Sequence, residues 1–253
     1  MPRRRERIAV EYQLTFQAPF HCGTGLPAGL IHRSVQRDAE GFLIVPGSTV
    51  KGGVRERCEQ LARLFGLMVA SPHAPEGLEE FRPHGGPVYA LFGSRKQDGT
   101  LFFDDAKLSS ESRDFFRPHH APLLEAAYRR WQVQERTRVS LSRLTRAARP
   151  GALFTSEYGI RGLAFDGRIY GVVEDLSLPE QESTFALVLL VAGLLMVDCL
   201  GGGRSTGAGR CAVSISSVRV DGQQKDLAEL LKGLGDLELY DLVALYDLVA
   251  EEG

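Results

Sequence analysis

The 253-residue chain lacks the markers of several functional classes. Its four cysteines, Cys22, Cys58, Cys199 and Cys211, are scattered without a CxxC spacing. That distribution argues against a zinc knuckle and a disulfide framework, and fits reduced thiols in a cytoplasmic protein. No HExxH spacing joins its six histidines, and the adjacent His119 and His120 beside Pro118 read as loop surface rather than a metal site. Neither sign of charge dominates: 30 Lys+Arg stand against 32 Asp+Glu, a net charge of −2, so a nucleic acid has to be held by a local basic surface. The longest apolar run, Phe185 to Leu200, is interrupted by Asp198 and falls short of the roughly 20 residues a membrane span needs. It reads as a buried helix, and no membrane partner is expected. The basic start from Met1 to Arg7 leads into an alternating pattern instead of the apolar core of a signal peptide. It suits an RNA-binding arm or a solvated terminus.

The 43% hydrophobic and 25% charged residues suffice for a core and fit one domain with an insertion. Residues 7–18 alternate apolar and polar, with Ile8, Val10, Tyr12, Leu14 and Phe16 on one face, which predicts a half-buried strand. The run 42–47 ends in Pro46-Gly47, and Ser48 and Thr49 are candidate N-caps. Val50, Val54, Cys58, Leu61, Phe65 and Met68 then recur at helical spacing, predicting a helix over 49–68. A strand is expected within 99–108, inside an insertion spanning 70–135. Residues 136–163 combine short apolar alternation with many arginines and with Pro150-Gly151 as a turn, and so predict a basic hairpin projecting from the core. A strand at 164–175, a helix from Pro179 to Leu200, a glycine-rich loop and a strand at 211–220 follow. The tail at 225–250 reads as a helix carrying the echo LYDLVA at 239–244 and 245–250. The order is that of an α+β, ferredoxin-like (RRM-like) βαββαβ sheet with insertions.

The strongest local signal is GGGRSTGAGR, Gly201 to Arg210. Glycines let the backbone take positive φ and approach a ligand, and successive N–H groups in such a loop form an anion nest. Arg204 and Arg210 add phosphate-pairing charge, though a flexible connector also accounts for the glycines. A Walker loop is excluded because the order is helix, loop, strand, with no lysine. A dinucleotide fingerprint fails because no helix follows the glycines. The second signal is VPGSTVKG, Val45 to Gly52, with Arg55 beyond it. A helix N-terminus with Lys51 and Arg55 is a natural phosphate site, and equally an ordinary solvated helix start.

These two motifs, taken with HCGTG (His21 to Gly25), LFFDDA (Leu101 to Ala106), SRLT (Ser142 to Thr145), GALF (Gly151 to Phe154) and Glu157 in that order, resemble the RAMP superfamily of CRISPR proteins. Within it the pattern is most similar to the repeated backbone subunits of type III effector complexes. The resemblance implies one RAMP domain over 1–253, with guide RNA and target RNA as partners beside other effector subunits, including copies or paralogues of this chain. It implies guide-RNA contacts at Lys51, Arg55, Gly203, Arg204, Ser205, Gly207, Gly209 and Arg210. It also implies a thumb at 136–163 that carries Arg143 and Arg146 between bases. Gly207→Val and Gly209→Val are expected to weaken RNA binding while sparing the fold. In cleaving members an aspartate precedes the Pro-Gly-Ser motif, and here His32 takes its place. Target cleavage, and with it any Mg²⁺, is therefore in question, although a histidine can act as a general base. The competing expectation within the superfamily is a metal-independent guide-processing endoribonuclease.

Overall fold

The computed structural model describes residues 3–26, 31–67, 69, 86–94, 98–117, 130–177 and 183–236. The first strand, β1 (Arg3–Phe16), is the centre of the main sheet. Its even-numbered residues from Ile8 to Phe16 are at most 2% exposed, so the period-2 pattern marks one face turned wholly to the core. The remaining strands are β2 (Ile44–Val45), β3 (Leu101–Phe103), β4 (Ala106–Leu108), β5 (Val133–Leu141), β6 (Ala148–Gly159), β7 (Ala164–Leu176), β8 (Cys211–Val220) and β9 (Gln223–Gln224). The main sheet runs β2-β4-β7-β1-β8-β9, β3 also pairing with β7, while β5 and β6 form a separate two-stranded sheet. Every pairing between these strands is antiparallel. The protein is thus an α+β structure with antiparallel sheets.

Helix α1 (Gly47–Leu64) buries Val50, Val54, Cys58 and Ala62, one residue per turn. It starts two residues ahead of the predicted helix, and neither Ser48 nor Thr49 caps it. Pro46 is the N-cap, its carbonyl accepting from the Thr49 and Val50 N–H groups at 2.9 and 3.1 Å. The Gly47 N–H donates instead to Asp105 Oδ1 at 2.8 Å. Asp105 is available because the strand expected over 99–108 is broken at Asp104-Asp105 into β3 and β4. A long-range carboxylate thus replaces the local cap, satisfying one orphan N–H and complementing the helix dipole. Two further short helices, α2 (Gly86–Phe92) and α3 (Ser110–Phe116), lie in the expected insertion.

Helix α4 (Phe185–Leu195) is FALVLLVAGLL and is buried from Phe185 through Leu194. A helix apolar all round must be covered all round, and here α1, α2, β7, β8 and α5 (Leu227–Asp236) pack against it. Gly193 lets Cys58 of α1 approach closely, and the Cys58 thiol donates to the Leu189 carbonyl. The helix stops at Leu195, short of the predicted Leu200, and the chain turns into the glycine loop. The predicted C-terminal helix is described only to Asp236, so the LYDLVA echo lies outside the described residues. Among the described residues no helix is long and apolar enough to cross a membrane.

The expected hairpin is present, but its turn is not Pro150-Gly151, which falls within β6. The chain reverses at 142–147, where Ser142 Oγ accepts from the Thr145 N–H at 3.2 Å and Arg146 takes φ of 55°. Two backbone bonds close the turn as well, from the Ser142 N–H to the Ala147 carbonyl at 2.9 Å and from the Arg146 N–H to the Ser142 carbonyl at 2.8 Å. The hairpin base is fixed by Gln132, buried, whose Oε1 accepts from the Leu43 N–H at 2.9 Å.

One buried carboxylate makes the fold sensitive to pH. Glu6 is fully buried and its Oε2 accepts from the Thr184 N–H (3.2 Å) and hydroxyl (2.9 Å), just ahead of α4. Arg4 Nε stands 3.2 Å from Oε1, but Oε1 has no partner in hydrogen-bonding geometry among the described residues. Burial raises the Glu6 pKa, and the Thr184 bonds and Arg4 oppose the rise only in part. A carboxyl raised above its unfolded value of about 4.3 favours the fold below that value and weakens it as pH climbs through the folded value. Glu6→Gln keeps an oxygen acceptor for Thr184 without the buried charge. Urea denaturation is expected to show this variant more stable than the wild type at pH 7, with the difference shrinking toward pH 4. A loss of stability at pH 7 that vanishes toward pH 4 would show that the carboxylate's pull on the α4 N-terminus outweighs its burial.

Candidate nucleic-acid interface

Three sequence motifs that lie far apart along the chain meet in one cleft. Its volume is about 490 Å³, and its walls are His21 to Gly23, the first turns of α1 (Ser48, Thr49, Gly52, Gly53 and Glu56), and the loop from Cys199 through Gly202 with Arg204. The glycine loop is closed by a short antiparallel ladder. The Leu200 N–H donates to the Gly209 carbonyl at 2.9 Å, and the Cys211 N–H to the Asp198 carbonyl at 2.8 Å. Leu200 then packs directly on Gly53 of α1. The Gly202 N–H donates to the His21 carbonyl at 2.8 Å, tying the loop to the segment after β1.

Between these anchors Arg204–Thr206 form one 3₁₀ turn bracketed by Gly203 and Gly207, both left-handed. The Thr206, Gly207 and Ala208 N–H groups bond within the loop. The Gly203, Arg204 and Ser205 N–H groups have no backbone acceptor among the described residues, and all three residues are exposed. They are the donors that an anion nest requires. Arg204 Nη1 meets Glu56 at 2.8 Å at the cleft rim, and this partner raises the Arg204 pKa.

The two predicted cations of α1 do not line the cleft. Lys51 and Arg55 stand on the neighbouring stripe of the helix, and Arg55 is engaged by Glu59 at 2.9 Å. Arg57 pairs with Asp198. Arg210 is exposed on the closing ladder, its carbonyl accepting from Gln17 and Ala18. Arg143 and Arg146 are exposed at the hairpin turn.

At the base of the hairpin, Arg136 and Arg138, which the sequence offered only as part of the basic stretch 136–163, form a cluster with Tyr158. Tyr158 of β6 is buried beside His21, ring centroids 5.5 Å apart. Arg136 and Arg138 of β5 lie over the Tyr158 ring at 5.0 and 5.6 Å. Among the described residues neither arginine forms an ion pair, so both keep their charge for an outside anion. The signal for this cluster is alternation across paired strands, which puts Arg136, Arg138 and Tyr158 on one face once the register Arg136↔Ser156 is known.

The two histidines near the front of the chain are held in opposite ways. His21 Nδ1 lies 2.7 Å from the Glu157 carbonyl. A carbonyl can only accept, so Nδ1 carries a proton, and in the neutral ring the lone pair is on Nε2. His32 Nδ1 instead accepts from the Thr155 N–H at 3.2 Å, while the His32 N–H donates to the Thr155 carbonyl at 2.9 Å. The neutral His32 ring therefore has its proton on Nε2 and its lone pair occupied, which does not suit a general base. No group of three His, Cys, Asp or Glu side chains that could hold a metal occurs among the described residues. His73, His84, His119 and His120 lie outside the described residues.

The RAMP superfamily model matches residues 13–212. The chain belongs to the RAMP superfamily. Two solved structures have similar folds: a chain of the type III-B Cmr-beta complex bound to cognate target RNA, at TM-score 0.55, and one from the apo state of the same complex, at 0.54. Each is 13% identical to this RAMP protein, covers 82% of it and is itself covered to 96%. No curated protein sequence matches.

The glycines of the loop divide by position. Gly209 is buried at φ of 84°, and a Cβ there would run into the Leu200 carbonyl. Gly207, at φ of 80°, faces open space. The expectation that both valine variants spare the fold therefore fails for Gly209. Gly207→Ala is expected to cost about 1–2 kcal/mol of stability, the strain of a left-handed non-glycine residue. Gly209→Ala should cost clearly more, because the ladder closing the loop must open. Equal urea midpoints for the two variants would show that the buried position adds no cost beyond the left-handed strain.

Proposed function

We propose that this RAMP protein is a guide-RNA-binding backbone subunit of a type III CRISPR effector complex. One observation carries the reading: the motifs after β1, at the start of α1 and in the glycine loop converge on a single cleft beside an arginine-bearing hairpin. The strand order is read as a ferredoxin-like sheet, since β1, α1, β3/β4, β7, α4 and β8 follow the βαββαβ sequence with β1 between β7 and β8. Guide phosphates are assigned to the Gly203–Ser205 N–H groups, Arg204 and the hairpin base. Such contacts hold position without reading sequence. The hairpin is assigned the thumb, with Arg143 and Arg146 at its tip. The similarity to Cmr-beta chains supports other effector subunits, including copies of this chain, as partners.

The Arg204→Ala and Arg136→Ala/Arg138→Ala variants are expected to bind unrelated RNA sequences several-fold more weakly, with a flatter dependence on salt. Lys51→Ala should act in the same direction but less, since Lys51 stands off the cleft. Electrophoretic or anisotropy titrations at several salt concentrations check this, and an unchanged salt slope in the double variant would remove the hairpin base from the interface.

His32 is assigned no catalytic step. The wild type is expected to leave target RNA intact with Mg²⁺ present, and His32→Ala to bind guide RNA as the wild type does. Metal-dependent cleavage by the wild type that disappears in His32→Ala would overturn this.

A second reading has one specific observation in its favour. His21 lines the cleft with Nδ1 held as a donor to the Glu157 carbonyl, so that its neutral ring has the Nε2 lone pair a general base needs for attack by a 2′-hydroxyl. Incubation with repeat RNA without metal separates the two: site-specific cutting abolished by His21→Ala would favour guide processing, and stable binding without products favours the backbone role.

A further inference from the structure

The face of the main sheet turned away from the helices carries an ordered row of side chains. In register across four strands stand Phe102 of β3, Tyr170 of β7, Ala9 of β1 and Arg219 of β8. Phe102 is 61% exposed. Its ring stacks on that of Tyr170, centroids 5.6 Å apart and planes within 24°. The Arg168 guanidinium lies 4.9 Å from the Tyr170 centroid. Its neighbours in sequence, Leu101 and Phe103, face the core, so pairing with β7 holds Phe102 outward by strand alternation. The small Ala9 side chain leaves the row open toward Arg219.

We propose that this row is a stacking platform for an unpaired nucleobase of single-stranded RNA. The inference rests on RNA binding by the chain but concerns a surface outside the cleft. Two features favour a base over a protein side chain. A protein interface is centred on a packed apolar cluster, whereas the register places Arg7, Ala9, Glu11 and Arg168 around the aromatic pair, with Val172 as its aliphatic neighbour along β7. A nucleobase needs only a flat ring and a guanidinium plane, which suit stacking regardless of base identity. Two cations of the face stand opposite acids, Arg168 opposite Glu11 and Arg5 opposite Glu174, whereas Arg7 and Arg219 stand opposite Val172 and Ala9. Replacing the aromatic ring removes stacking and leaves these charges in place, which separates the effect of Phe102 from that of the cleft.

The test is an anisotropy titration of the full chain with a fluorescent oligouridine, at low and high salt, for the wild type and for Phe102→Leu, Tyr170→Leu and Arg204→Ala. Leucine keeps an apolar side chain on the strand, and the thermal midpoint confirms folding. Phe102→Leu is expected to lower affinity about tenfold, within the range for one stacked base, by the same factor at both salt concentrations. An oligonucleotide bearing 5-iodouridine should crosslink to Phe102 or Tyr170. If Phe102→Leu binds normally and no crosslink forms there while Arg204→Ala binds weakly, the platform is wrong and the RNA reading stands. If only co-purification of a protein suffers in Phe102→Leu, the face is a protein interface and the proposal is overturned. If the wild type binds no RNA, both fall together.

Discussion

A helix with no polar side has to be enclosed, and α4 imposes that requirement on the whole molecule. Ten consecutive residues from Phe185 to Leu194 are buried, each removing apolar surface worth about 25 cal/mol per Å² from water. The sheet supplies one wall and α1, α2 and α5 the others. All the helices that do this are drawn to one face of the sheet, which leaves the opposite face of β1 and β7 half exposed. The same enclosure explains why α4 ends where it does. Beyond Leu195 the chain passes out of the helix layer, and Leu200 can be buried only by folding back on Gly53 of α1. That contact brings the glycine loop to the start of α1 and creates the cleft.

Charge within the cleft region is largely spent on structure. Arg55 and Arg63 are held by Glu59, Arg57 by Asp198 and Arg204 by Glu56. Exposed pairs of this kind contribute little to stability, but each leaves its arginine half neutralised toward an incoming phosphate. The hairpin differs. Arg136 and Arg138 rest on an aromatic ring instead of a carboxylate, so they are positioned without being discharged. In a chain of net charge −2, the local basic surface lies where the arginines have π partners, and the loop contributes N–H geometry more than charge.

The elements whose side-chain period is long and unbroken were legible in the sequence: β1, α1, β7, β8 and the existence of the hairpin. What was not legible depends on partners distant in the chain. Asp105 caps α1 across 58 residues, so the local candidates Ser48 and Thr49 were reasonable and idle. The hairpin turn went to Ser142–Ala147, where backbone bonds and a serine oxygen close it, whereas Pro150-Gly151, a strong turn pair by composition, is absorbed into a strand. Lys51 and Arg55 were selected as charges in a first turn, although the Arg55-to-Glu59 spacing of four residues already indicated an internal pair. Gly207 and Gly209 look equivalent in sequence, and only the burial of the second distinguishes a conformational role from a packing one. The Phe102–Tyr170 row needed strand register, which no single segment encodes.

The histidines show how the backbone, and not the residue type, decides chemical readiness. His21 and His32 both have Nδ1 against the backbone of β6, at Glu157 and Thr155, two residues apart on the same strand. Along one edge of a strand, carbonyl and N–H groups point the same way in turn. A ring that meets a carbonyl must donate and is left with a basic Nε2; a ring that meets an N–H must accept and is left with a protonated one. In the neutral rings His21 therefore keeps a lone pair at Nε2 and His32 carries a proton there. A donor can steady a phosphate or a 2′-oxygen, and it cannot remove a proton. On the proposed RNA-binding reading, the balance between a binding subunit and a processing enzyme turns on whether a scissile 2′-hydroxyl reaches His21, a question of RNA path more than of which side chains line the cleft.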